Sequence, residues 1–463
     1  MIPTPFALFV ILAALLSNGE RMPRALMLCC LFGATAAIQL PALGGAPITP
    51  SILLLPFLVW RALREEGVDA CVRPLAFPQA GFWLLLVVLW GVLSAYFIPR
   101  LFNGETVLYA TERGPAAGVL LLPLQPASTN LTQSAYALGS LCAFAAMGAL
   151  LQPEGRMARF RDAVLLLASA NVAAALLNLA EIYLGIPSLL EFVRNAGYAI
   201  LVGGDVGGLQ RISGTFAETS TFSTFTLPLL AFTFCLWRDG VRPRYSGALA
   251  LASLLLLLVS TSSTAYASLG VYAALVGASL LWRSMSRPQS RRMGAGAWLL
   301  WSVAVLGCLL LLARPEIADR VSDFFSVTLG RKLESASGIE RGSWNLQAWT
   351  NFLDLNGLGV GLGSARASSF ALVLVSNLGA LGTALFLGFV GRVLIAPKQA
   401  LGDADAPVAR ASRHAVLTVL IAVCVSGTVF DLGLAFYAFA AAATVRSTQR
   451  APRSSTGSAH ATA

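Results

Sequence analysis

Residues 79–98 read QAGFWLLLVVLWGVLSAYFI, a run without one charged side chain. At 1.5 Å per residue, a helix of that length spans roughly 30 Å, the thickness of a bilayer's hydrocarbon core. The run is one of a series. Comparable apolar segments fall near 4–17, 25–40, 47–63, 132–151, 162–185, 214–237, 245–260, 263–282, 296–313, 369–395, 411–428 and 431–446. The expected fold class is therefore all-α, a polytopic integral membrane protein with about 12–13 transmembrane helices. Residues 1–446 read as one transmembrane domain, and 447–463 as a disordered cytoplasmic tail. The division of 245–282 turns on LLLLLVSTSSTAYASLG, which reads either as a polar break between two spans or as a kink in one very long helix.

Composition agrees. Of the 463 residues 57% are hydrophobic and 12% charged, where soluble domains carry about a quarter charged. The first residues, MIPTPFALFV, lack a basic leader, so a cleaved signal peptide is not expected. Six of the seven cysteines (Cys29, Cys30, Cys142, Cys235, Cys308, Cys424) sit in apolar runs and Cys71 in a basic loop, which suits buried small hydrophobes better than a disulfide framework. The two histidines, His414 beside a span and His460 in the tail, give little for a metal or nucleophile site.

When alternate loops are assigned to opposite sides, roughly two thirds of the 32 Lys and Arg fall on one side, which the positive-inside rule makes cytoplasmic. That puts the C-terminus inside and three large connections, near 99–131, 186–213 and 314–368, outside. The net charge of +10 then reflects topology and calls for no nucleic-acid partner.

The third outer connection is polar, aromatic and glycine-punctuated. Ser337-Gly-Ile-Glu340 has capping-box spacing and Asn356-Gly357 supplies a stop, predicting a helix over about 338–355 with Arg341 in its first turn and Asn345 on the same face. A helix N-terminus beside a guanidinium seats an anion well. Trp344 and Trp349 fit sugar stacking, or a helix lying along the membrane surface. The run Gly357, Gly359, Gly361, Gly363, followed by Arg366, lets backbone approach a ligand, or serves as a flexible entry to the next span. No βαβ unit surrounds it, so a dinucleotide site is not expected.

Arg211 to Phe225, RISGTFAETSTFSTF, places Arg211 just outside the seventh apolar segment and Glu218 slightly inside it, where an ionised carboxylate needs a partner. Thr215-Phe-Ala-Glu218 is also a capping-box pattern, and Glu218 then secures only the helix start. Other outward candidates are Arg113, Glu181, Arg194, Asp205, Arg314, Arg320 and Asp431, each with an interfacial or structural reading beside it; Tyr198 is a further stacking candidate.

The order R-x-S-G-T-F-x-E-x-S (from Arg211), the break STSSTAYASLG, a long outer loop running from tryptophan into G-x-G-x-G-S, and the later S-N-L-G-A-L-G resembles the O-antigen polymerase and O-antigen ligase superfamily of bacterial envelope glycan assembly. PASTNLTQSAYAL, 126–138, is similar to a segment of exopolysaccharide polymerases. The likeness covers roughly residues 80–445.

The resemblance implies a GT-C-like glycosyltransferase of the bacterial inner membrane, a polysaccharide polymerase that uses undecaprenyl-diphosphate-linked glycan at the periplasmic face. Arg211 and Arg341 match the family's diphosphate-holding arginines, with Arg366 a third. A possible partner in that setting is a chain-length-regulating copolymerase, besides membrane lipid. The ligase branch shows His-Asn after the glycine loop where this chain has Ser368-Ser369, which favours the polymerase. Glu218 is the expected base. Arg366, Asn345, Trp344, Arg113, Gly361 and Gly363 are the expected substrate contacts. A diphosphate is already a competent leaving group, so neither metal nor cofactor is expected. The alternatives are a ligase transferring polymer to lipid A-core or protein, a lipid-linked oligosaccharide flippase, which would show repeats and midplane charges, and a structural subunit of an export complex.

Overall fold

The computed structural model describes residues 2–40, 46–112, 118–196, 205–206, 209–286, 336–395 and 405–445. The expected span at 296–313, Arg113, Tyr198, Arg314, Arg320, Cys308 and the tail lie outside those residues.

The described helices are α1 Pro5–Leu16, α2 Met22–Cys29, α3 Pro50–Glu65, α4 Val68–Val72, α5 Ala80–Leu101, α6 Ser128–Leu150, α7 Arg156–Leu184, α8 Thr219–Arg238, α9 Pro243–Val259, α10 Ser263–Ser286, α11 Ala336–Asp354, α12 Phe370–Leu394, α13 Ala406–Ser426 and α14 Leu434–Thr444. Seven of them (α5, α6, α7, α8, α10, α12, α13) are long and apolar enough to cross a membrane; α1, α9 and α14 are apolar but shorter. The chain is thus mostly helical and multi-pass, with fewer full-length spans among the described residues than the thirteen expected.

Small side chains set the packing. In lipid, helices gain little from burying apolar surface against one another, so close backbone approach matters more. On α14, Ala438 and Ala440 to Ala443 are all buried, and on α6 a Cβ added at Gly148 would sit 2.8 Å from Pro74. Phenylalanines fill the remaining space, as where Phe144 of α6 meets Phe389 of α12 edge-on at 5.7 Å. The most enclosed span is α8, with 72% of its apolar window buried against 28% for α10, so α8 stands at the centre and α10 at the rim.

One expected span needs correction. The segment 25–40 is not a continuous span: α2 stops at Cys29, and the chain becomes strand Ile38–Leu40, paired with Ile2–Pro3 and Ala46–Ile48. Extended backbone there finds partners that are remote in sequence, including Asn195, whose Oδ1 accepts the Ala36 N–H at 2.8 Å. The class is all-α as expected, with a few short strands: Val107–Glu112 and Gly118–Pro123 pair antiparallel in the connection between α5 and α6. The polar stretch after α9 is a true break, with Thr261 at φ 52 and Ser260, Thr261 and Ser262 all buried. Cys71 is buried as well, in the short α4, and the six described cysteines are free.

The ends of the bundle differ in charge. All eight ion pairs among the described residues lie where α3 and α8 finish and α7, α9 and α13 begin, as in Arg156 with Glu66 and Arg410 with Asp239. The opposite end gathers the starts of α6, α8 and α12, α11, and the hairpin.

Candidate functional site

A break in α12 organises that opposite end. Gly379 has φ 66 inside the helix, which a left-handed turn requires, and a Cβ there would lie 2.3 Å from Leu358 O. The broken ladder frees carbonyls that, in a membrane, must find donors within the protein. The glycine-rich loop supplies them: Val360 N–H donates to Ser376 O at 2.7 Å and Gly361 N–H to Asn377 O at 3.0 Å. Trp90 Nε1 donates to Leu378 O at 2.8 Å.

This changes the reading of Gly361 and Gly363. Both have left-handed φ, and a Cβ on either would lie 2.6 Å from a neighbouring backbone oxygen, Ser94 O or Thr129 O. The glycines let the loop pass between α5, α6 and α12, and the Gly361 N–H is already committed, so the loop is a packing element and not an open anion cradle. Asn130, from the PASTNLTQ segment, donates to Leu362 O and Ser364 Oγ, each at 2.8 Å.

Arg366 leaves this fixed loop. Its backbone N–H donates to Tyr109 O of the hairpin at 2.8 Å, and its guanidinium lies over the Trp344 ring, 5.2 Å from the centroid. Trp344 is buried and meets Tyr109 at 6.3 Å, so it is a wall of the site and not a membrane-surface residue. Asn345 Oδ1 accepts the Ser368 N–H at 2.8 Å, tying α11 to the loop. Helix α11 is described from Ala336, with Arg341 and Asn345 both within it. At the other end, Asn356 and Gly357 (φ 51 and 81) stop the helix as expected, with Gly357 N–H reaching Phe352 O at 2.8 Å.

The second contributing stretch, 211–218, enters α8 without being helical. Asn178 Oδ1 accepts the N–H groups of Ser213 and Gly214 at 3.0 and 3.1 Å, and Arg194 Nε donates to Gly214 O at 2.8 Å. Glu181 accepts the Leu190 N–H at 2.9 Å and Asn178 Nδ2 at 3.3 Å. Burial pushes the Arg194 guanidinium down and Glu181 pulls it back up. Glu181 and Arg194 are therefore the clamp that shapes the loop, and not its chemistry.

Thr215 does not cap α8: its hydroxyl donates to Leu31 O at 2.5 Å. The N-cap is Glu218 itself, extended at φ −153, and its side chain makes no capping bond. Its Oε1 instead accepts the Ser220 hydroxyl and, at 3.4 Å, that of Thr221. The carboxylate is thus oriented at the mouth of α8, one step before the helix and not inside it.

Four charges share this place. Burial pushes the Arg211 guanidinium below its ordinary range, Glu218 pulls it up and Arg341 pushes it down. The same three influences act in the same order on Arg366, with a smaller upward pull from Glu340. Arg211, Glu218, Arg341 and Arg366, from three separated stretches, therefore sit within electrostatic reach of one another. No ion pair within 4.0 Å joins Arg211, Arg341 or Glu218 to any described residue, and the buried Arg211 Nε lacks a hydrogen-bond partner. A cavity of about 50 Å³ opens beside Arg366, between Gln133, Ser364 and Phe430. A larger one of about 250 Å³ lies around Arg73 and Thr444 at the ion-paired end.

Compared with models of known protein families and with curated proteins, the chain matches none. Asp431, another sequence candidate, accepts the Gly433 N–H at 3.0 Å in the turn before α14. Sequence reasoning missed Tyr109, Asn178 and Asn377. The available signal was asparagine inside apolar helices, where an amide side chain needs a partner.

Proposed function

We propose that this protein is a membrane-embedded polysaccharide polymerase that transfers undecaprenyl-diphosphate-linked glycan to a lipid-linked repeat unit at the periplasmic face of the bacterial inner membrane. The observation that carries the reading is the gathering of Arg211, Arg341 and Arg366 around Glu218. Three guanidiniums suit the charge that develops on a departing diphosphate, and each offers planar, forked donors. Glu218, held by two hydroxyls, is placed to orient or deprotonate the incoming sugar hydroxyl. One displacement inverts the anomeric centre, and no nucleophilic carboxylate is invoked.

The ligase reading differs in acceptor only, and Ser368 and Ser369 stand where that branch has its His-Asn pair. A flippase would line its midplane with charge, whereas this cluster lies at one end.

The test is a deletion strain complemented with Arg211→Ala or Arg341→Ala, followed by sizing of surface glycan. Single repeat units on the lipid carrier are expected. Normal long-chain polymer from both variants rejects the assignment.

A further inference from the structure

Helix α11 has two opposite stripes. One, formed by Trp344, Ala348 and Asn351 and continued by Leu355 just past the helix, is buried against the hairpin and the loop. The other, Ile339, Leu346, Trp349 and Leu353, is exposed at 64, 68, 46 and 56%. At 100° per residue, those four fall within about 80° of the helix circumference, and Arg341 projects about a third of a turn away. Such a stripe in water is a patch in need of an explanation.

Its occupant is indicated by what the helix rests on. Leu355, just beyond the C-terminal end of α11, packs in one cluster with Ile98 near the end of the membrane-crossing α5. That same stretch of α5 exposes Phe97 and Leu101, at 50 and 71%, on the surface that a span presents to lipid. The outward stripe of α11 therefore starts at the level where the hydrocarbon-facing surface of α5 ends. Trp349 in the stripe is the residue type favoured at that depth.

We propose that α11 lies in the headgroup-to-acyl boundary of the leaflet at the cluster's end of the bundle, with Ile339, Leu346, Trp349 and Leu353 immersed in lipid. Arg341 is thereby held at the depth of lipid phosphates, so that a phosphate still anchored in the bilayer meets the cluster without leaving the membrane. The claim rests on the fold and is independent of the chemistry proposed above.

The test uses Leu346→Cys, Leu353→Cys and, as an exposed position off the stripe, Glu340→Cys, each labelled with the fluorophore NBD. Labelling of the parent chain is subtracted. The proteins are placed in vesicles of phosphatidylethanolamine and phosphatidylglycerol, with and without lipid carrying a doxyl quencher at acyl carbon five. Blue-shifted emission at 346 and 353, quenched at least about twofold more than at 340, is the expected result for an interfacial helix. Water-like, unquenched emission at both stripe positions overturns the proposal. Blue-shifted emission without doxyl quenching overturns it too, because the stripe is then covered by protein, such as a second copy of the chain.

Discussion

Asn377 grips Ala365 from both sides: its Oδ1 accepts the Ala365 N–H at 3.1 Å and its Nδ2 donates to Ala365 O at 2.9 Å. Ala365 is the residue before Arg366, so the break in α12 sets where that guanidinium is delivered. Asn377→Leu strips both partners and leaves two buried backbone groups unsatisfied, at about 1–3 kcal/mol each. The expected outcome is a lower unfolding temperature in detergent together with reduced polymer formation, measured on the same preparation.

Glu218→Gln separates a base from a helix cap. The amide oxygen still accepts from Ser220 and Thr221, so stability should stay within about 0.5 kcal/mol. Transfer activity should fall by roughly 100-fold or more if the carboxylate takes the proton. Glycan sizing beside a thermal melt distinguishes the two; full activity returns Glu218 to a structural role.

Arg211→Lys keeps the charge and removes the fork. Because a guanidinium binds phosphate through paired donors, the lysine variant should lose about tenfold in transfer rate, and Arg211→Ala about 100-fold or more. Initial rates in proteoliposomes with purified lipid-linked repeats test this ranking. Equal rates for the lysine variant and the parent would mean that only charge matters.

The glycines of the loop predict a contrast in stability. At Gly359, φ is +78 and a Cβ would lie 2.5 Å from Gly379 N, whereas at Gly391 nothing lies within 4 Å. Gly359→Ala should destabilise by about 3 kcal/mol or prevent folding, since a left-handed residue is strained and backbone cannot yield. Gly391→Ala, in the helix, should be neutral or stabilising by about 0.5–1 kcal/mol. Denaturation in detergent, followed by circular dichroism, reads both.

Guanidinium groups are the proposed counter-charge for the leaving diphosphate. Dialysis against excess EDTA should therefore change the transfer rate by less than about twofold, and added Mg²⁺ should not rescue Arg211→Ala. Loss on chelation that a divalent cation restores would assign the charge to a metal instead.

The long spans were legible because they are charge-free and their signal is local: 79–98 became α5, and 369–395 became α12. The segment 25–40 carries the same signal and folds otherwise, because its partners, Val193 and Asn195, lie more than a hundred residues downstream. The glycine run was misassigned for a related reason. Alternate glycines have one local signature whether they approach a ligand or another backbone, and only the break at Gly379, remote from the loop's own sequence pattern, decides between them. The strand pair left a weak trace in VLYATE and GVLLLP on either side of a Gly- and Pro-containing sequence. Arg211, Glu218, Arg341 and Arg366 could be picked out by residue type and by position relative to the spans. Their shared neighbourhood, and the sorting of ion pairs to the far end, depend on tertiary placement that no window of sequence contains.

The bond from Thr215 to Leu31 O has a consequence for biosynthesis. Its two ends are 184 residues apart, so when the ribosome has delivered the early segments the Leu31 carbonyl has no donor waiting for it. The stretch after α2 must stay hydrated, or sheltered by the insertion machinery, until nearly half the chain has emerged. The turn after α2 and the stretch that leads into α8 are therefore completed together, and a nascent chain stopped before Thr215 leaves the Leu31 carbonyl without its native donor.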